Sequence, residues 1–254
     1  MSAFPLWREG CLYGDLSKYA NSWEAYFEPV IDAAVYESIK QNAFKGVPTL
    51  RPTFFGWQND PGQDQRQTFA RLTEQYIRPI ASVRQAVDSF IAEHLAAQPF
   101  LGVHVRLTDA ARGEEDKKVK RAEDYFALAD RWAQDNTGPI FLATDSLEAV
   151  TLFKQRYGSR VVQREAIRSS DGQSIHGHYD GGTEGDPITK GLDVLIDALI
   201  LSRADHLVRG LSAVTVFALC RNPSLTFHDV NTCDGTASNG DWISAWSAPA
   251  PVVI

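Results

Sequence analysis

Three groups of polar residues follow predicted strands, at 104–109, 144–146 and 210–212, and two of them have the types and spacing to hold a phosphate. His104 and Arg106 alternate with apolar residues, so both side chains point to one face of a predicted strand end. An arginine there can grip a phosphate through two donors and stays charged. Gly210 and Ser212 open a predicted helix, where a hydroxyl and free backbone N–H groups favour an anion. The ordinary alternatives are a surface ion pair between Arg106 and Asp109 and a plain helix cap at Ser212.

Carboxylates form the second set of candidates. Asp145 follows a predicted strand with Glu148 three residues later, an arrangement that also suits a helix cap. Asp193 and Asp197 are one turn apart on a helix predicted over 192–203, and the helix dipole accounts for Asp193 in its first turn. Asp197 lies among apolar residues. It either belongs to a polar stripe or accepts two hydrogen bonds from the edge of a guanine base.

A charged loop over 112–121 follows the first polar group. Glu114 and Glu115 in this loop are close enough along the chain to Arg106 for one of them to act as a general base. A solvated run of charges is the ordinary alternative. The histidines and cysteines lack metal-ligand spacing, so neither a metal site nor a cofactor is predicted.

The elements that must position these residues follow from the pattern after residue 99, where short apolar runs alternate with amphipathic stretches. This alternation predicts an α/β fold with a mostly parallel sheet and helices on both faces. The carboxyl ends of parallel strands share one edge, so the three polar groups are expected to converge there. Strands are predicted over 100–105, 139–143, 160–164, 206–209 and 225–228, and helices over 123–136, 147–157, 192–203 and 212–220.

The first 98 residues have weaker patterns. Apolar residues at three- and four-residue steps predict a helix over 64–96, which Pro79 should kink or split. A strand over 11–16 and a helix near 32–42 are also predicted. Loops rich in turn-forming residues are predicted at 48–61, which contains the aromatic run 54–57, and at 168–187.

Composition narrows the class of protein. The 254-residue chain is 44% apolar, enough for a sizeable core, and its net charge of −7 argues against a nucleic acid as the main partner. No run approaches 18 apolar residues, so no membrane span is predicted, and the first twenty residues show no signal-peptide pattern. The three cysteines lack zinc or redox spacing, which favours a reducing, cytoplasmic compartment.

Taken together, three sequence blocks resemble the GDP-fucose-dependent fucosyltransferases, most of all the α-1,6-fucosyltransferases and the bacterial NodZ type. The blocks are LGVHVRLTD at 101–109, FLATD at 141–145, and DALILSRADHLV at 197–208 followed by Ser212. The order and spacing of all three agree with the family, which is more specific than any single block. The likeness extends weakly to YANSWEAYFEP at 19–29.

The resemblance implies a GT-B-like fold of two Rossmann-like halves with parallel sheets, the N-terminal half reduced. It implies an inverting, metal-independent transfer of L-fucose from GDP-fucose to a hydroxyl of an oligosaccharide or polysaccharide acceptor. It divides the chain into a reduced acceptor-side domain at 1–98, a GDP-sugar-binding domain at 99–232 and a tail at 233–254. By position, it implies that Arg106 binds the β-phosphate, that His104 and Asp197 contact the guanosine and that Ser212 donates to the diphosphate. It implies that Asp109 positions Arg106 and that Glu114 is the catalytic base. Further donor contacts are implied for Tyr125, Asp145 and Tyr19.

The chain departs from the family pattern at Leu107, Ala110, Ser146 and Ala213, where family members have Arg, Lys, Asp and Ser. The strand, Gly-rich turn and helix that open the family pattern are not found before Tyr19. These departures keep a second hypothesis open: a GDP-sugar-binding module without activity, or one that needs a partner chain or oligomer. An α/β domain with an unknown ligand is the third interpretation.

Overall fold

The computed structural model describes residues 13–15, 17–19, 21–30, 32, 34–35, 38, 63–108, 121–175, 185–210 and 212–230. The strands are β1 Leu101–Val105, β2 Ile140–Thr144, β3 Val161–Val162, β4 His206–Arg209 and β5 Thr226–Asp229. The α-helices are α1 Gln63–Tyr76, α2 Ala81–His94, α3 Phe126–Asp135, α4 Leu147–Tyr157, α5 Pro187–Leu201 and α6 Ala213–Arg221. Short 3₁₀ helices cover Ser22–Ala25, Ala122–Tyr125 and Gly158–Arg160.

The five strands form one parallel sheet in the order β3-β2-β1-β4-β5. All five residues of β1 and all five of β2 are buried, which explains their apolar composition: a parallel strand covered on both faces needs apolar residues on both. Val103 of β1 is in register with Leu142 of β2 and Val208 of β4. The α/β class and the parallel sheet predicted from the sequence are confirmed.

Helices cover both faces of this sheet. On one face, α3 and α4 pack against alternate strand residues such as Val103 and Leu142. On the other face, α2, α5 and α6 pack against Phe141, Leu207 and Phe227. The alternation of side chains along each strand therefore separates two apolar cores, and His104 belongs to the face covered by α5 and α6.

Pro79 splits the long helix predicted over 64–96 into α1 and α2, as expected from its missing N–H group. The residues around the break bind the N-terminal segment instead: Phe27 forms an antiparallel bridge with Pro79, and Ile80 N–H donates to the Tyr26 carbonyl at 2.9 Å. The described part of the N-terminal region is thereby joined to the helices that cover the sheet.

Arg66 of α1 is only 1% exposed and connects this helix to the segment between α6 and β5. Its Nη2 donates to the carbonyls of Asn222 at 3.0 Å and Leu225 at 2.8 Å, which lie between α6 and β5. Burial lowers the pKa of this guanidinium, so these two carbonyls compensate for part of its lost hydration.

Several predicted boundaries differ from the observed ones. Helix α5 begins at Pro187 rather than at 192, because Asp186 accepts a hydrogen bond from Thr189 N–H at 2.9 Å and proline suits the first helical position. The strand predicted over 11–16 is wrong for its described residues 13–15, which lead into a turn where the Asp15 carbonyl accepts from Lys18 and Tyr19.

Other predictions fall partly or wholly outside the described residues. Positions 34, 35 and 38 are helical, as the helix near 32–42 requires, whereas the loop at 48–61 and the tail from 231 onward lie outside. The division into domains at 98 and 232 stays a prediction. Across the described ranges, no helix combines the length and the apolar character that crossing a bilayer requires.

Candidate functional site

A cavity of about 450 Å³ opens at the carboxyl edge of the sheet. The strand order reverses between β1 and β4, and open α/β sheets bind ligands beyond the strand ends at such a point. All three predicted polar groups reach this cavity. Its polar lining comprises His104, Arg106, Thr144, Asp145, Lys190, Asp193, Asp197 and Ser212, and its aromatic and aliphatic lining includes Tyr13, Trp23, Tyr26, Phe27, Ile77, Val214 and Phe217.

His104 is the titratable residue of β1 and lines the cavity. It is 7% exposed, and no described residue makes a hydrogen bond with its Nδ1. Burial, with the nearby charges of Arg106 and Arg209, lowers its pKa to about 3. The imidazole is therefore neutral at physiological pH and offers one donor and one acceptor at the wall of the cavity.

Asp145 holds the loop that carries Arg106. Its Oδ1 accepts from Leu107 N–H at 3.0 Å, and its Oδ2 accepts from Thr108 N–H at 3.3 Å and from the Thr108 hydroxyl at 2.8 Å. The helix-cap alternative for Asp145 is wrong, because Ser146 caps α4 by accepting from Ala149 N–H at 3.3 Å. Asp145 thus fixes the backbone next to Arg106, a connection that the sequence pattern does not reveal.

Ser212 is the N-cap of α6 and lines the cavity. Its Oγ accepts from Val214 N–H at 3.2 Å, so the ordinary helix-cap interpretation is confirmed, and the same helix start faces the cavity. Gly210, two residues before Ser212, has no room for a side chain, because a Cβ would lie 2.3 Å from the Tyr125 hydroxyl. Because Ser212 lines the cavity, the positive end of α6 lies at the edge of the sheet.

Asp197 lines the cavity as predicted, and Arg164 contacts it from the segment after β3. Arg164 Nη1 lies 3.2 Å from Asp197 Oδ1, and Arg164 Nη2 lies 3.3 Å from Asp193 Oδ1. Burial raises the pKa of Asp197 to about 6, while Arg164 opposes that rise. The helix-dipole explanation of Asp193 is wrong, because α5 begins at Pro187 and places Asp193 in its interior.

The remaining predicted site residues lie elsewhere or outside the described ranges. Tyr125 is 2% exposed, is not among the described lining residues and packs against Gly210, and burial raises its pKa. Tyr19 is half-buried against the core and is not among the described lining residues. Asp109 and Glu114 fall outside the described residues. The donor-binding and catalytic roles that the resemblance implies for these four residues stay predictions.

Sequence reasoning missed a buried ion pair beside His104. Arg209 of β4 is the register partner of both His104 and Asp229, so the three side chains lie in a row on one face of the sheet. Arg209 Nη2 lies 2.7 Å from Asp229 Oδ2, with the two side chains 0% and 1% exposed. The Arg209 guanidinium also lies over the Phe227 ring at 5.2 Å. Only the register between β4 and β5 brings these charges together.

Three of the positions that depart from the family pattern can be placed in the structure. Leu107 packs into the core on the α3 and α4 face, away from the face to which His104 belongs. Ser146 caps α4, and Ala213 is the first residue of α6. Among the described residues, no group of three His, Cys, Asp or Glu side chains could hold a metal ion.

No protein-family model matches the chain, and no curated protein matches it. Several solved structures are similar to it. A structure of NodZ α-1,6-fucosyltransferase soaked with GDP-fucose is 20% identical with a TM-score of 0.49, the match covering 86% of this chain and 81% of that one. A structure of fucosyltransferase NodZ from Bradyrhizobium is 19% identical with a TM-score of 0.41, covering 61% and 46%.

Two further fucosyltransferases are similar over a smaller part. A mutant of Arabidopsis thaliana FUT1 in complex with GDP is 13% identical with a TM-score of 0.42, covering 63% of this chain and 35% of that one. POFUT1 in complex with GDP is 10% identical with a TM-score of 0.41, covering 65% and 50%. These proteins belong to the class that the sequence blocks resemble.

Proposed function

We propose that the chain is a glycosyltransferase that moves L-fucose from GDP-fucose to a hydroxyl of a glycan acceptor, with inversion and without a metal ion. One observation carries the proposal: a single cavity at the strand-order reversal is lined by Arg106, by the helix start at Ser212 and by the buried carboxylate of Asp197. These groups suit a diphosphate at one end and a base with adjacent N–H donors at the other.

The chemistry follows from the charges that develop during transfer. The acceptor oxygen forms a bond to C1 of the sugar while the bond from C1 to the β-phosphate oxygen breaks, and its electron pair leaves with GDP. Arg106 and the N–H groups at the start of α6 stabilise that growing negative charge. The acceptor proton goes to a carboxylate, for which the resemblance indicates Glu114.

The rest of the donor binds to the remaining polar lining. Neutral His104 and ionised Asp197 are assigned to the guanosine, since a carboxylate accepts from both N1–H and the exocyclic amine of guanine. Asp145 supports Arg106 through the loop at Leu107 and Thr108. We further propose Asp109, Tyr125 and Tyr19 as donor-side residues, 99–232 as the donor domain and the cytoplasm as the location.

A second function is favoured by the placement of Leu107. The family has a second cation at this position, but this side chain packs into the core. The cavity then has less positive charge for the leaving diphosphate. A GDP-sugar-binding module without transfer activity, or one completed by a partner chain, fits that observation.

Thermal denaturation tests the donor site. At a free ligand concentration of about 100 times Kd, binding stabilises the folded state by ~2.7 kcal/mol. For a chain of this size the melting temperature should then rise by roughly 5–11 °C. We expect a rise with GDP and GDP-fucose, with or without EDTA, and none with UDP-sugars. No response to any guanine nucleotide would contradict the donor site.

Hydrolysis or transfer of GDP-fucose then separates enzyme from module. Arg106→Ala should lower turnover by roughly 10²–10³-fold, because it removes a donor aimed at the leaving group. Arg156→Ala is the matched control, since Arg156 of α4 pairs with Asp130 of α3, and these helices cover the other face of the sheet. Equal turnover in both variants would remove Arg106 from the mechanism.

Glu114→Gln should lose transfer and keep GDP binding, whereas unchanged transfer would point to another base.

A further inference from the structure

Arg164 connects the third strand to the acidic face of α5. Its Nη1 donates to the Asp193 carbonyl at 3.3 Å and to Asp197 Oδ1 at 3.2 Å, and its Nη2 donates to Asp193 Oδ1 at 3.3 Å. The three side chains are 12–16% exposed. One guanidinium therefore serves two carboxylates that lie one helical turn apart at the wall of the cavity.

The backbone around Arg164 is fixed to the same helix. Ile167 N–H donates to Asp193 Oδ2 at 3.3 Å, and Arg168 Nη2 donates to the Arg164 carbonyl at 2.8 Å. Ala166 and Ile167 of this segment line the cavity together with residues of α5. The arginine is consequently held at its head group and at its backbone, and it has little freedom to swing away from Asp197.

The charges that face Asp197 come from several elements. Arg164 and Arg168 follow β3, Asp193 belongs to α5, and Lys190 on the same helix and Arg106 after β1 line the same cavity. His104 is neutral there. Burial and Asp193 favour a protonated Asp197, and the two arginines favour the carboxylate.

We propose that Arg164 is a positioning residue for base recognition: held by Asp193, it keeps the Asp197 carboxylate ionised and facing the cavity, ready for a base with two adjacent N–H donors. This inference rests on the proposed guanosine site. It adds to that site a residue, Arg164, that contacts the Asp197 carboxylate and not the ligand. It also predicts that affinity for GDP depends on pH through this cluster.

The test is the dissociation constant of GDP between pH 5 and 8, measured by calorimetry. In the wild type, binding should weaken as the pH falls below about 6, where Asp197 takes up a proton. In Arg164→Met the midpoint of this loss should move to higher pH, and affinity at neutral pH should fall roughly tenfold with the loss of the charge-assisted contact. Arg164→Lys, which keeps the charge, should restore the midpoint.

Two further variants keep the result decisive. Arg164→Gln removes the charge but keeps a polar side chain, so the midpoint should also move to higher pH, and this variant serves if the Met variant does not fold. Arg156→Met, which breaks an exposed pair remote from the cavity, should leave the midpoint unchanged. Folding of every variant is checked by its melting curve.

The outcomes for the two proposals are distinct. If the wild type binds no GDP at any pH, the proposed function fails. If the wild type binds GDP but the midpoint is the same in Arg164→Met and Arg164→Gln, the positioning role of Arg164 is overturned while the donor site stands.

Discussion

The buried pair between Arg209 and Asp229 gives a quantitative test of how the edge of the sheet is stabilised. The two side chains are 0% and 1% exposed and 2.7 Å apart. Asp229→Asn keeps the shape but leaves a buried guanidinium without its countercharge. Breaking a buried pair in this way costs about 3–5 kcal/mol. For a chain of this size, the melting temperature should fall by roughly 6–20 °C.

Urea denaturation followed by circular dichroism measures this loss as a change in the free energy of unfolding. The double variant Arg209→Met, Asp229→Leu should recover most of it, because apolar residues of similar size remove the need for a countercharge. Asp88→Asn is the control: it breaks an exposed pair with Arg203 and should leave stability unchanged within error.

A loss below ~1 kcal/mol in Asp229→Asn would refute this reasoning, since it is the size expected of an exposed pair. Failure of the double variant to recover stability would show that Arg209 acts through other contacts, such as the Phe227 ring at 5.2 Å.

Three further predictions concern the cavity. Gly210→Ala should destabilise the chain by about 1–3 kcal/mol in urea denaturation, because the added Cβ meets the Tyr125 hydroxyl at 2.3 Å; an unchanged midpoint would contradict that contact. Asp145→Ala should release the loop at Thr108 and weaken GDP binding about tenfold in calorimetry, and equal affinity would show that the loop holds Arg106 without it. His104→Gln should lose less stability than the wild type between pH 7 and 4.5, as judged by melting temperature.

The sign of the His104 effect follows from its lowered pKa. The unfolded chain takes up a proton near pH 6.5, whereas the folded chain resists it until about pH 3. The contribution of neutral His104 to the stability of the folded state is therefore complete above pH 6.5 and is lost as the pH falls toward 3. Asp197, whose pKa is raised to about 6, acts in the opposite direction and is present in both proteins, so the comparison isolates His104. Parallel pH profiles would show that His104 is not neutral in the folded state.

The βα part of the fold was predictable because parallel strands covered on both faces require continuous apolar runs. The runs before Arg106 and Asp145 became β1 and β2, and helix α4 has the predicted bounds Leu147–Tyr157. The convergence of three polar groups at one sheet edge followed from that topology. The start of α5 at Pro187 was missed although Asp186 and Pro187 form a helix-start signal.

The contacts that shape the site were less accessible to sequence reasoning. Arg164 lies 33 residues before Asp197, and Asp145 lies 37 residues after Thr108. No local period relates residues at such distances. Arg209 was expected at a strand end, where charged residues are usually exposed. Its complete burial depends on the register that places Asp229 beside it.

The buried Arg66 has a consequence for how the chain is assembled. Its carbonyl partners are 156 and 159 residues further along the chain. At a synthesis rate of about 5–20 residues per second, helix α1 leaves the ribosome roughly 8–30 s before those partners exist. Until then its guanidinium stays hydrated and α1 has no docking surface on α6. Helix α1, although made earlier, therefore completes its packing only after α6 and the segment leading to β5 are synthesised.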